Sequence, residues 1–492
     1  MSIATQAAHG VAWNMALGVS TRVLQLVGTL ILTRFMAPAD YGAVITASIV
    51  VVTAGAFTSF AFGQYLIAKR ASAEVAAQAV LVHLGLGIIA MAVVYGIRRP
   101  IGDLLDTPAM DKYVLGFAIA QVVDRTRYIP ERLLMRALRF RALATINGAG
   151  ELAFTAAALA CASAWGAYAI MVGTLVRSVL TSVLFLRAAP RGEWLVRCRL
   201  RAADVRDLVT YGLPIMVAIV TDNATRRWDN LIVSKLFGPG VMGGYNYAYN
   251  LAEMPISNVA EHIGEVLMPS FSRMEDGRRE RAVVRAAALM GIVVSPLGVG
   301  LGAVAPTVTA AFFNAQWGPM ISPMLTILSV MTVFRPMPWS AIAYAQAVQR
   351  TSILMWSSFL RAIIVLSLVA AGGLVAGPNG ACVGAGIGYA IHSVVTIVAA
   401  GHATALPVGG YLLGVARPLL PCVPMFVVVV AIEHAFLAWG VPLTVSLAAQ
   451  ILVGAAVYIA AAFMLVRPGV DELLRIGREA IRRRRPAPVE LT

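Results

Sequence analysis

The stretch Thr33-Arg34-Phe35-Met36-Ala37-Pro38 returns 201 residues later as Ser234-Lys235-Leu236-Phe237-Gly238-Pro239. The register runs on without a gap. Gly42 pairs with Gly243, Gly63 with Gly264, Gln64 with Glu265 and Leu66 with Leu267. A shared Pro and Gly arise by chance, but one offset held over about thirty residues marks an internal duplication. A doubled, strongly apolar chain is the pattern of membrane carriers built from two halves.

The bulk of the chain agrees. Of 492 residues, 59% are apolar and only 13% charged, and the mean hydropathy is +0.79. Soluble chains carry roughly 25% charged residues, so an integral membrane protein is expected. The net charge of +15 sits in loops between apolar runs, which argues against a nucleic-acid surface. Cys161, Cys198, Cys382 and Cys422 have no metal or redox spacing, and no cofactor is expected. The first apolar segment, about 25 residues long, lacks a basic leader and a cleavage site and is expected to be a retained span.

Apolar runs bounded by turn and charge signals predict an all-α polytopic protein with fourteen spanning helices. Their limits are 11–36, 43–66, 77–97, 111–133, 143–163, 167–187, 209–236, 243–268, 285–305, 320–345, 352–375, 380–401, 418–438 and 442–466. Basic residues divide between the two sets of loops. One set holds 26 of them, in 69–70, 132–141, 187–206, 273–285, 350, 417 and 467–485, while the other holds only Arg98, Arg99, Lys112 and Lys235. The rich set is therefore expected on the cytoplasmic side together with both termini. Both copies then begin on the same side, which makes the repeat parallel. The expected organisation is an N-lobe at 1–208, a C-lobe at 209–405, two extra helices at 406–466 and a basic cytoplasmic tail at 467–492. The tail is amphipathic and expected to lie on anionic headgroups.

Charge inside the spans is the second signal, because an ionised side chain at mid-bilayer costs at least about 2.5 kcal/mol. Asp222, Arg226 and Asp229 fall at i, i+4 and i+7 on one helical face, with Arg227 beside them. Asn246, Asn250, Glu253, Ser257, Glu261 and Glu265 form another stripe. Arg22 lies on a polar face with Asn14, Gln25 and Thr29, and Arg125 on one with Gln121, Tyr128 and Arg132. Arg177, Arg335 and Arg361 sit in the middle of other spans. These stripes either line a wet interior or neutralise one another within the helix, and both alternatives stay open for Asp222, Arg226 and Asp229.

Several segments resemble the polysaccharide transporter family of Wzx-type oligosaccharide flippases, within the multidrug/oligosaccharidyl-lipid/polysaccharide flippase superfamily. They are Gly10-Val11-Ala12-Trp13, then Leu32 through Gly42, then Leu138-Arg139-Phe140-Arg141. Asp229-Asn230-Leu231-Ile232 with Leu236-Phe237-Gly238, Tyr245 through Pro255, Met268 through Arg273, and Trp317 with Pro323 continue the pattern in order. The resemblance implies a MATE-like fold of two parallel six-helix lobes around a cavity, in a bacterial inner membrane. It also implies alternating-access flipping of an undecaprenyl-pyrophosphate-linked oligosaccharide for exopolysaccharide, capsule or lipopolysaccharide synthesis, not an enzyme activity.

For such a cargo, guanidinium groups suit the phosphates through forked hydrogen bonds. Arg22, Arg125, Arg226, Arg227, Arg335 and Arg361 are therefore the candidate substrate contacts. Asp222, Asp229, Glu253 and Glu261 are candidates for coupling to H+ or Na+. Membrane lipids, and the polymerase and chain-length proteins of such a pathway, are the expected partners. Three other functions compete. A MATE-type cation exporter suits a more acidic cavity, a peptidoglycan lipid-precursor flippase shares the cationic logic, and a membrane glycan polymerase needs a large outer loop. No Gly-x-x-x-x-Gly-Lys-Ser/Thr stretch exists, so ATP hydrolysis is not expected.

Overall fold

The computed structural model describes residues 28, 30–69, 71–272, 274–275, 277–350 and 352–484. Every long element among the described residues is a helix. The first half contains α1 (Pro38–Phe57), α2 (Phe62–Ala68), α3 (Ala73–Gly96), α4 (Arg98–Leu104), α5 (Asp111–Arg136), α6 (Phe140–Trp165) and α7 (Tyr168–Ala188). α8 (Ala202–Ser272) joins two helices across Gly238, whose φ of 80° breaks the ladder. Then follow α9 (Arg278–Phe312), α10 (Gly318–Thr332), α11 (Trp339–Ala347) and α12 (Ser352–Ala403). The end is built from α13 (Val408–Ala416), α14 (Cys422–Ala438), α15 (Leu443–Leu465) and α16 (Arg467–Arg484). Most of the expected span 11–36 lies outside the described residues.

Eight helical stretches among the described residues are long and apolar enough to cross a membrane. α5 and α8 are not among them, although α5 has 26 residues and α8 has 71. These two carry the polar stripes, so the charges that suggested function also remove them from an apolar count. Two expected spans are interrupted. The span 43–66 breaks between Phe57 and Phe62, where Ala61 takes a left-handed φ of 48°. The span 320–345 opens between Thr332 and Trp339. There Pro336 and Pro338 lack the N–H groups a continuous helix needs.

By packing, the chain forms two compact units. One is Met1–Asn246 with Phe313–Trp317, and the other is Tyr247–Phe312 with Gly318–Thr492. These units follow contacts, whereas the six-helix lobes follow sequence register.

The duplication continues beyond its first thirty residues at a different offset. α5 ends at the αL residue Leu138 (φ 55°), and α11 ends at Gln349 (φ 62°). In each turn the next N–H closes onto a carbonyl five residues back, Arg139 on Leu134 at 3.0 Å and Arg350 on Ala345 at 2.8 Å, which is a Schellman-type end. The following helix pair turns at Gly166 (φ 52°) in the first copy and Gly377 (φ 66°) in the second. Both turns sit 211 residues apart. The added length falls near α9, which has 35 residues against 24 in α3.

The original motif folds as a reciprocal contact, all within the first unit. A methyl added to Gly42 would lie 1.8 Å from the Pro239 carbonyl oxygen, and one added to Gly243 would lie 2.6 Å from that of Pro38. Each copy is also held from the far side. Trp317 Nε1 donates to the Met36 carbonyl at 3.2 Å, and its ring meets Tyr41 edge-on at 5.6 Å. On the other copy, the Ser234 and Thr107 hydroxyls are 2.7 Å apart and Lys235 Nζ is 2.9 Å from Asp106 Oδ2. Lys235 is thus tied to a carboxylate.

Between apolar helices in lipid, close packing replaces the hydrophobic driving force. The two halves of α12 show it. A methyl on Gly380 would lie 2.1 Å from the Gly372 carbonyl oxygen, and one on Gly384 would lie 2.0 Å from that of Leu368. The run Gly298 to Gly302 packs similarly, with Gly298 against the Ser329 carbonyl and Gly302 against that of Thr326. α16 rests on the second unit. Gly469 meets Ile292, Val470 and Leu473 join a buried cluster, and Glu472 pairs with Arg285 at 3.3 Å.

Candidate functional site

Arg125 lies at the centre of the first unit and is only 4% exposed. α5 carries it inward, and Gly87 of α3 leaves room for its stem, since a methyl there would sit 2.3 Å from Cδ. No carboxylate among the described residues pairs with its guanidinium. Nη2 donates to the Gly55 carbonyl at 2.8 Å and to the Thr58 hydroxyl at 2.6 Å. Nη1 donates to the carbonyls of Thr58 at 3.2 Å and His83 at 3.3 Å, and His83 Nδ1 is 3.2 Å away. Gly55 lies in the last turn of α1 and Thr58 is its C-cap. A helix end that stops inside the protein leaves acceptors and partial negative charge, and a planar fork of donors satisfies them. The break between Phe57 and Phe62 therefore dictates an arginine here.

This nest borders a cavity of about 300 Å³ lined by α1, α3, α5 and the start of α8. Its polar walls come from His83, Gln121, Asp124, Arg127, Glu131 and Asn223. Arg127 is bracketed on its own helix by Asp124 at 2.8 Å and Glu131 at 3.1 Å. Ser178 donates to the other Asp124 oxygen at 3.1 Å. A relay runs along a second wall, with Trp228 Nε1 donating to the Thr53 hydroxyl at 3.2 Å and that hydroxyl to Asn223 at 3.1 Å. The walls thus present amide and carboxylate groups suited to hydroxyl-rich ligands, beside a guanidinium that no acid among the described residues neutralises.

The second unit holds Arg335 in a different way. It is 9% exposed, and Nη1 lies 2.5 Å from Glu253 Oε1. The same nitrogen donates to the Tyr249 hydroxyl at 3.2 Å. The guanidinium also lies 5.3 Å from the Tyr389 ring centroid, and the Tyr249 and Tyr389 hydroxyls are 2.8 Å apart. The result is an ion pair in an aromatic box.

The remaining expected residues divide. Arg226 is exposed and 3.0 Å from Asp222, so those two make the intrahelical pair that the spacing allowed. Asp229, further along the same face, is 1% exposed. It accepts from Asn230 N–H at 2.9 Å and from the Tyr245 hydroxyl at 3.0 Å. Arg227 is exposed and Arg361 half-buried. Arg22 and the Glu261 side chain lie outside the described residues. His83, Glu131 and Tyr389 were not singled out from sequence. Glu131 carried a usable signal, since it falls four residues after Arg127 on one helix face.

A family model described as polysaccharide biosynthesis protein matches residues 31–322. The chain is 23% identical over 441 residues to the lipopolysaccharide biosynthesis protein WzxC of Escherichia coli, covering 87% of this chain and 88% of that protein. It is 23% identical over 490 residues to the succinoglycan biosynthesis transport protein ExoT of Rhizobium meliloti, covering 97% of each. Among solved structures, the lipid II flippase MurJ in an inward closed conformation matches with a TM-score of 0.77 at 14% identity, over 93% of this chain and all of that one. An inward-facing multidrug MATE transporter matches with a TM-score of 0.60 at 15% identity, over 80% and 94%. At these identities the structures establish a shared MATE-like transporter fold.

Proposed function

We infer that this chain, which belongs to the polysaccharide biosynthesis protein family, is a multi-pass membrane transporter that moves the oligosaccharide units of a surface polysaccharide across the membrane. The observation that supports it most directly is the full-length similarity to a succinoglycan biosynthesis transport protein. The polar cavity beside Arg125 is the physical counterpart, since sugar hydroxyls need such groups to leave water.

The cargo in this reading is an undecaprenyl-pyrophosphate-linked oligosaccharide, and the protein works by alternating access in the cytoplasmic membrane with both termini inside. Arg226 and Arg227 are the proposed phosphate contacts, because both are exposed on α8 and Arg226 can exchange Asp222 for a ligand anion. Arg125 has both terminal nitrogens engaged by the Gly55, Thr58 and His83 carbonyls and the Thr58 hydroxyl, and shapes the cavity wall instead. Among the carboxylates, Asp222 is the proposed ion-coupling group. Its pairing with Arg226 links cargo binding to the release of a carboxylate that can take H+ or Na+.

The test is translocation of a fluorescently labelled lipid-linked oligosaccharide in proteoliposomes, with and without an ion gradient. Wild-type protein moves the label, and an Arg226→Ala, Arg227→Ala double variant inserts normally but loses transport. Unchanged transport by that variant removes the phosphate assignment. Movement of a peptidoglycan precursor in place of the oligosaccharide replaces the functional reading.

A further inference from the structure

Two loops of the first unit cap the shared end of α6 and α7. One runs from Ala137 into the start of α6 at Phe140, and the other leaves α7 after Ala188 and reaches α8 at Ala202. Both helices are long and apolar enough to span a membrane, so the loops stand at headgroup depth. Both belong to the Arg-rich set expected on the cytoplasmic side. Arg136, at the entry to the first, is 2.6 Å from Glu193 in the second.

The surface they form intersperses apolar side chains with cations. Leu138 is 68% exposed, and Phe140, Leu195 and Leu200 are exposed as well. Arg139, Arg141, Arg197 and Arg199 are exposed between them and make no ion pair among the described residues. Glu193 is the only acid in either loop, and Arg136 already holds it. The second loop is fixed at both ends. Trp194 is buried before it, and the Arg201 N–H donates to Gln78 Oε1 at 3.1 Å after it. In between, Val196 and Cys198 are half-buried while Arg197 and Arg199 are exposed, the two-residue alternation of extended chain lying along a surface. Leu138 is the sharper clue, because it holds an αL conformation (φ 55°) that disfavours any side chain with a Cβ. The matching turn of the second copy places Gln349 there, in Gln349-Arg350-Thr351-Ser352 against Leu138-Arg139-Phe140-Arg141. The turn therefore does not require a leucine, and burial does not explain one.

We propose that these two loops form a docking surface for acidic phospholipids of the leaflet they face. The arginines take the headgroup phosphates through forked hydrogen bonds, and Leu138, Phe140, Leu195 and Leu200 enter the acyl boundary. Clustered cations immediately beyond a span attract anionic headgroups. A soluble acidic partner would satisfy the arginines, but it has no use for single apolar side chains set between them where two spans end. The second copy, with Gln349 in place of Leu138, lacks the apolar part of this turn.

The experiment reads lipid contact at Gly192, where an added side chain meets open space. A fluorophore is attached to Gly192→Cys in the full chain carrying Cys161→Ser and Cys198→Ser, since Cys382 and Cys422 are buried. The protein is held in nanodiscs containing spin-labelled phosphatidylglycerol or spin-labelled phosphatidylcholine. Half-quenching is expected at a phosphatidylglycerol fraction about fivefold or more below that for phosphatidylcholine, the scale of one arginine at an anionic surface. Arg139→Gln, Arg141→Gln, Arg197→Gln and Arg199→Gln together remove that preference. Arg278→Gln with Arg281→Gln, at exposed arginines of α9, leaves it unchanged. Leu138→Asn, which suits the left-handed turn, raises the fraction needed for both lipids and keeps their ratio. Equal quenching by the two lipids with the native loops overturns the proposal, as does an undiminished preference once the four arginines are replaced. Quenching by dissolved iodide and by neither lipid also overturns it, and assigns the surface to a soluble partner.

Discussion

The two copies of the repeat each bury an arginine one position apart in register, Arg125 inside α5 and Arg335 in the opening between α10 and α11, and they satisfy it by different means. At the 211-residue offset, Asp124-Arg125 of the first copy corresponds to Arg335-Pro336 of the second. In the first copy, the helix after the Pro38 turn stops at Phe57 and leaves carbonyls for Arg125. In the second, the helix after the Pro239 turn runs unbroken to Ser272, and Arg335 takes Glu253. The residue matching Glu253 in the first copy is Val52. A backbone break and a carboxylate are thus alternative answers to one buried cation, and each copy has adopted one.

The contrast is broken most forcefully at Glu253. Glu253→Gln leaves Arg335 with tyrosines alone and is expected to destabilise the purified protein by about 3–5 kcal/mol, read as a lower thermal midpoint in detergent. Adding Arg335→Met recovers much of that loss, and failure to recover would mean that Glu253 acts through another partner. Arg125→Met comes next, at about 3 kcal/mol, since it removes the guanidinium donors from the Gly55, Thr58 and His83 carbonyls and from the Thr58 hydroxyl. No single carboxylate change in the first unit should reproduce it, because none neutralises Arg125. Lys at 125 is expected to rescue only part, having one point of charge for acceptors that surround a plane.

A third change tests the symmetric part. Gly42→Ala drives a methyl into the Pro239 carbonyl and is expected to cost about 1–3 kcal/mol, more than Gly243→Ala, whose approach is looser. Equal effects would show that the contact relaxes freely. The smallest effect is expected from Thr58→Val, about 1 kcal/mol, which removes one acceptor from Arg125 and leaves the carbonyls in place.

Much of this was readable from sequence, and the gaps have specific causes. The turns at Pro38 and Pro239 and the apolar runs gave the helical membrane class, because length and hydropathy are local quantities. The charged faces of α5 and α8 were visible as spacing. The break before Phe62 was not, since Ser59-Phe60-Ala61 contains neither Gly nor Pro and Ala61 is held in αL by its surroundings. The carbonyl partners of Arg125 are not legible in the sequence, because no side-chain pattern advertises a backbone acceptor. The opening near Pro336 did carry its signal in two prolines, masked by the apolar run around them. The shift from 201 to 211 was hidden because added length inside an apolar helix leaves the hydropathy unchanged.

The crossed Gly42–Pro239 and Gly243–Pro38 contacts have the form of an isologous interface, in which residue i meets j and the copy of i meets the copy of j. Such interfaces normally join separate chains around a two-fold axis. Here the pattern is fused into one polypeptide. A half-length chain would already contain both the glycine and the proline needed to meet a second copy of itself. Fusion then lets the partners drift separately, so that Gly42 and Gly243 remain identical while Gln64 and Glu265 do not. The joint has kept the symmetry of a dimer, and the positions released from that symmetry are free to treat the two ends of an asymmetric cargo differently.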